Sequence, residues 1–152
     1  MRLQVTDSHS AIQGYGQLTD FDLSALREQV RAQAPALRYL VQRSRELKAN
    51  PSLQVAAHEV FGCEAQVWVR VTLDQDRVQL ECYSESRVVN GLLAVLQDAL
   101  NGASTEQVLA FQVQNYFTAL GLADFISESR RNGLQAVVQA IQAAVRSNLA
   151  NN

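Results

Sequence analysis

An α+β fold, one domain with helices packed on a three-stranded antiparallel sheet, is predicted by two changes of period and by a length. Apolar residues recur every three or four positions before residue 50, alternate with polar ones from residue 67 to residue 82, and return to helical spacing from residue 88. A chain of 152 residues with 47% hydrophobic content buries about two thirds of its unfolded surface, which suffices for one core.

Residues 1–18 hold Gly14, Gly16 and scattered polar residues without periodicity, and read as a loose N-terminal arm before a domain over residues 19–150. From Thr19, the residues Leu23, Leu26, Val30 and Ala34 mark one apolar face of a first helix. Pro35 suits the first turn of a second, whose buried side is Leu37, Leu40, Val41, Ser44 and Leu47 and which closes over residues 48–51. Val67, Val69, Val71 and Leu73, then Val78, Leu80 and Cys82 across a polar turn at residues 74–77, predict an antiparallel hairpin. A shorter strand within residues 55–61 completes a meander that needs a helical cover on one face.

That cover follows. Residues 84–86 offer capping oxygens for a helix with Val88, Val89, Leu92, Leu93, Leu96, Ala99 and Leu100 inward, stopped by Asn101-Gly102. Ser104 with Gln107 reads as a capping box for a short helix, Phe111, Tyr116, Phe117 and Leu120 anchor helical or irregular turns, and a last helix starts near Ser127 or Ser129.

Charge and composition exclude several functions. Thirteen Lys and Arg against fifteen Asp and Glu, net −2 without a basic run, argue against non-specific nucleic-acid binding. The longest mainly apolar stretch, residues 88–100, is broken by Asn90, Gln97 and Asp98 and falls short of the roughly 20 residues of a membrane span. The first ten residues hold no apolar segment of a secretory signal, so a cytoplasmic location is expected. Two cysteines cannot build a disulfide framework, an iron–sulfur cluster or a structural zinc site unaided. No Walker loop, GxGxxG, CxxC, HExxH or GxSxG occurs.

Cys63 is then the candidate for chemistry. It lies between two strand candidates, and Gly62 before it lets the backbone bend and leaves one side of the sulfur open. Cys82 alternates with Val78 and Leu80 and reads as packing. His58 suggests a Cys63/His58 hydrolase pair, but five extended residues separate their ends by about 16 Å. Arg130 and Arg131 occupy a first helical turn, where the dipole favours acids, and Gly133 follows inside the same helix. Such a group of broken local rules points either to function or to close packing.

Gly62-Cys63-Glu64-Ala65-Gln66-Val67-Trp68-Val69 resembles the Gly-Cys-x-Ser/Ala-x-Val-Trp segment of the SufE-like sulfur acceptors that partner cysteine desulfurases. Arg38-Tyr39-Leu40-Val41 with Leu47, the run from Ser84 to Leu92, and Leu120-Gly121-Leu122 followed by Ser129-Arg130 and Gly133-Leu134 resemble further family segments in the same order. Tyr83, Glu85, Glu128, Ser44 and His58 depart from the family's usual residues.

The resemblance implies a SufE/IscU-like fold and a non-enzymatic sulfur acceptor. Its Cys63 would take persulfide sulfur from a desulfurase, stimulate that enzyme and pass sulfur to an iron–sulfur scaffold or other acceptor. It implies no cofactor of the chain's own, pyridoxal phosphate (PLP) belonging to the desulfurase. Arg130 is expected near Cys63, favouring its thiolate, with Glu64, Glu85, Arg87 and Arg131 on the partner-binding surface. Cys63 is expected to tuck toward Val60, Phe61 and Trp68 until docking. A hydrolase using Cys63 and His58, or a regulatory module that docks on a desulfurase without carrying sulfur, are the competing readings.

Overall fold

The computed structural model describes residues 10–150, and its first helix opens as its sequence directs. The Thr19 hydroxyl accepts the Asp22 N–H at 3.0 Å and the Asp22 carboxylate accepts the Thr19 N–H at 3.1 Å, a reciprocal cap on α1 (Asp20–Ala32). Helix α2 (Ala36–Ser44) follows a cis Ala34–Pro35 peptide, with Pro35 as its N-cap. It stops short of the expected end. Ser44 Oγ donates to the Val41 carbonyl at 2.6 Å, a local bond that competes with helix continuation, and residues 45–47 continue in tighter i−3 turns.

The buried face of α2 keeps Leu40 and Ser44 as expected but differs at its first turn. Leu37 is 45% exposed whereas Tyr39 is wholly buried, because the Arg43 guanidinium donates to the Tyr39 hydroxyl at 2.8 Å and satisfies its polar end.

A 3-10 turn (Ala56–His58) leads into β1 (Glu59–Val60), β2 (Val67–Asp74) and β3 (Arg77–Ser84), an antiparallel sheet in that order. Val60 faces Val67 across the first pair and Val69 faces Cys82 across the second. The β2–β3 turn puts Gln75 and Asp76 at φ 52° and 69°, the two left-handed residues of a type I′ hairpin. Val78, Leu80, Cys82 and Ser84 are all buried on one face. On the other, Trp68 stacks on Tyr83 at 6.4 Å.

Helix α3 (Arg87–Leu100) is buried continuously from Asn90 to Leu96 and lies between β3 and α2. Its amide side chains close the free edge of β3. Gln97 Nε2 donates to the Leu80 carbonyl at 2.8 Å and Asn101 Oδ1 accepts the Leu80 N–H at 2.9 Å. Asn90 grips both backbone groups of Ser84, at 2.7 and 2.6 Å. Helices α4 (Thr105–Leu109), with the expected Ser104/Gln107 capping box, and α5 (Val113–Ala119) connect to α6 (Glu128–Ala150), which packs on β2. Among the described residues no helix is long and apolar enough to cross a membrane.

Part of the expected loose arm is anchored. Within residues 10–18, Ile12 N–H donates to the Leu18 carbonyl at 3.0 Å, Gln17 N–H to that of Ala99 at 2.9 Å, and Gln112 N–H to that of Gly14 at 3.0 Å. Gly16, at φ +64°, lies where a Cβ would come 2.1 Å from the Ala99 carbonyl oxygen, so only glycine allows this approach. Residues 1–9, with His9, lie outside the described residues.

Candidate functional site

Strand pairing fixes both ends of the loop that carries the candidate thiol. Val60 and Val67 pair across β1 and β2, leaving residues 61–66 as the connection. Gly62 turns at φ +98°, and Cys63 is thereby directed back toward α6 and half-buried. Its Sγ lies 3.5 Å from the Gly133 carbonyl oxygen. The bare backbone of Gly133 faces the thiol, and a Cβ there would meet the Cα, Cβ and Sγ of Cys63 at an ordinary 3.7 Å. The glycine that looked misplaced in a helix is the wall behind the sulfur.

Beside the thiol is a cavity of about 90 Å³. Val67, Val89, Leu92, Leu93, Leu134 and Val137 line its interior, and Glu64, Ser86, Ser129 and Arg130 its polar rim. The expected neighbours differ from these. Val60 is in the core but off this wall, Phe61 is 80% exposed, and Trp68, by strand alternation, is on the opposite face of the sheet from Val67. Burial pushes the Cys63 thiol up from its ordinary range, since desolvation penalises the thiolate.

The start of α6 sends its two arginines apart. Ser127 caps the helix, its hydroxyl accepting the Arg130 N–H at 3.3 Å. Arg130 stands on the cavity rim and is exposed to solvent, but the shift of the thiol in this conformation comes from burial. Arg131, about 100° further round the helix, donates from Nη1 to the Ile126 carbonyl at 2.9 Å. It is not brought to the cavity. Glu64 is on the rim, where its Oε1 accepts the Ser129 hydroxyl at 3.0 Å. Glu85 and Arg87 are exposed and flank Ser86, the rim residue whose Oγ accepts the Val89 N–H at 3.3 Å.

His58 is engaged elsewhere, with Nδ1 2.9 Å from the Leu53 carbonyl, and the Cys63 cavity has no histidine in its wall. A Cys63/His58 pair is not assembled. Cys82, 4% exposed on the core face of β3, is pushed up to about 12 mainly by burial. It is an inert packing thiol.

Two site residues escaped the sequence reading. Ser129, a helix start and part of a family segment in the sequence, also bonds the thiol loop. Asn90, a buried polar residue inside an apolar stripe, holds Ser84 and so sets the corner that places Ser86 and Val89 at the cavity. Its signal was present, because a buried amide needs partners close by.

A family model described as "SufE: Fe-S metabolism associated domain" matches residues 23–145. An uncharacterized SufE-like protein of Haemophilus influenzae is 32% identical over 107 residues, 69% of this chain and 85% of that protein. The sulfur acceptor protein CsdE of Escherichia coli is 37% identical over 111 residues, 72% of this chain and 76% of its own length. A hypothetical protein of Thermus thermophilus, known from a solution structure, superposes with a TM-score of 0.69 at 24% identity, over 84% of this chain and 96% of that one. The last likeness concerns the fold alone.

Proposed function

The chain belongs to the SufE family, and we propose that it is a sulfur acceptor that takes persulfide sulfur from a cysteine desulfurase onto Cys63. The observation that carries this reading is a single half-buried thiol, on a loop between two strands, seated at an apolar cavity beside a helical glycine.

The chemistry is an exchange at sulfur. The Cys63 thiolate attacks the outer sulfur of a persulfide on the desulfurase cysteine. The donor's S–S bond breaks, its electron pair leaves with the donor thiolate, which takes up a proton, and a new S–S bond forms on Cys63. No external oxidant or reductant enters. PLP, which generates the donor persulfide, belongs to the desulfurase.

At rest the half-buried position of the thiol favours its protonated form, which guards it against oxidation and stray alkylation. Docking that swings the loop outward rehydrates the sulfur and exposes it to Arg130 or a partner cation. Each unit by which its pKa then falls favours the thiolate by about 1.4 kcal/mol. Once loaded, Cys63 returns the persulfide to the cavity until an iron–sulfur scaffold or another acceptor takes the sulfur. The chain is not itself an enzyme in this scheme: it stimulates the desulfurase by clearing its cysteine for another turnover.

The test compares the chain with Cys63→Ser in a desulfurase assay. The wild type is expected to raise turnover, and the variant to bind the enzyme without raising it. Equal stimulation by Cys63→Ser would make the chain a regulatory module instead.

A further inference from the structure

Phe61 is the most exposed of the large apolar side chains among the described residues, at 80%, and it stands two positions from the candidate thiol. Its exposure follows from its place in the chain. Val60 pairs with Val67 and points into the core, Phe61 follows just past the end of β1 with its side chain in solvent, and the left-handed Gly62 then reverses the chain before it can fold back. The ring is thus held out by the same bend that holds the sulfur in.

Two residues apart, the Cα atoms of Phe61 and Cys63 are within about 7 Å of each other. A standard protein interface covers about 800 Å² per partner, a disc of roughly 16 Å radius. Any protein whose own sulfur comes into bonding contact with Cys63 therefore covers Phe61. An exposed aromatic ring close to the reacting thiol, with Glu64 and Arg130 exposed on the rim of the cavity beside that thiol, has the anatomy of a binding hot spot.

We propose that Phe61 is the aromatic anchor of the docking face, its ring entering an apolar pocket of the cysteine desulfurase. This rests on the acceptor reading above. The partner is the desulfurase of that reading, whose own cysteine must come within bonding distance of Cys63, two residues from Phe61. Phe61 contributes to binding alone and takes no part in the exchange of bonds.

The experiment titrates Phe61→Ser and Phe61→Tyr against the wild type in the desulfurase assay, with direct binding measured in parallel. Phe61→Ser is expected to raise the half-saturating concentration of the chain about ten-fold or more while reaching the wild-type plateau, and Phe61→Tyr to restore it. Alkylation of Cys63 in the free chain by a small reagent should be the same in all three. An unchanged half-saturation in Phe61→Ser, or weakened binding only to a downstream acceptor, would overturn the proposal. The two readings fail separately. A wild-type chain that binds the enzyme through Phe61 yet gains no sulfur overturns the acceptor role alone, whereas transfer indifferent to Phe61 overturns the anchor alone.

Discussion

Two polar contacts to α6 help keep Cys63 under cover, and both are weak: the 3.5 Å approach of Sγ to the Gly133 carbonyl and the 3.0 Å hydrogen bond from Ser129 to Glu64. The second is exposed, and its loss leaves Glu64 in water with no buried orphan. A hydrogen bond of this kind contributes about 0.5–1.5 kcal/mol, so Ser129→Ala should raise the open fraction of the loop, and the alkylation rate of Cys63, roughly 2- to 10-fold. An unchanged rate would show that the loop is held by other means. The pH dependence of the same reaction has a definite sign. Because burial disfavours the thiolate, the midpoint for alkylation of the folded chain should lie above that of the unfolded chain, about 8.5, and a lower one would contradict the burial account. At this scale Cys63 and Gly62 were legible because loop position and glycine are local. The direction of Arg131 and the true neighbours of the sulfur were not, since those depend on where α6 meets the sheet.

Two helical glycines differ in what they meet, and the elements respond accordingly. At Gly91 a Cβ would sit 2.2 Å from the Leu40 carbonyl oxygen, a contact between two helix backbones that neither side chain can relieve. Gly91→Ala should push α2 off α3, costing about 1–3 kcal/mol or more and lowering the melting temperature by about 2–4 °C per kcal/mol. At Gly133 the contacts are at an ordinary 3.7 Å, and alanine gains about 1 kcal/mol in helix propensity, so Gly133→Ala should melt no lower than the wild type. Equal losses in the two variants would refute this distinction. The capping box at Ser104 is readable because its donors and acceptors lie within three residues, whereas the equivalent box at Thr19 is seen only in the structure. The early end of α2 and the anchoring of residues 10–18 were not readable: the first turns on one serine's choice of carbonyl, the second on Ala99 and Gln112, about 80 to 100 residues away along the chain.

For the molecule as a whole, the one-faced sheet separates the two thiols into distinct environments, Cys82 in the core and Cys63 at the cavity mouth. Cys82 keeps its proton in the folded chain up to about 12, while the unfolded chain gives it up from about 8.5. Folding stability should therefore be fully present below the lower value and fall as pH rises toward the upper, with a slope of up to about 1.4 kcal/mol per pH unit. Denaturant titrations between about pH 9 and 10, below the ordinary tyrosine range, should show a shallower loss for Cys82→Ala than for the wild type. Identical slopes would remove Cys82 from the account. Alternation along the strands made this inside-and-outside division legible in the sequence, since Cys82 keeps step with Val78 and Leu80 whereas Cys63 keeps step with nothing. The most direct measurement of the central claim is peptide mass mapping after incubation with a cysteine desulfurase and free cysteine. One added sulfur atom on the peptide containing Cys63, absent in Cys63→Ser, is the predicted result; sulfur on the Cys82 peptide, or none on either, would contradict it.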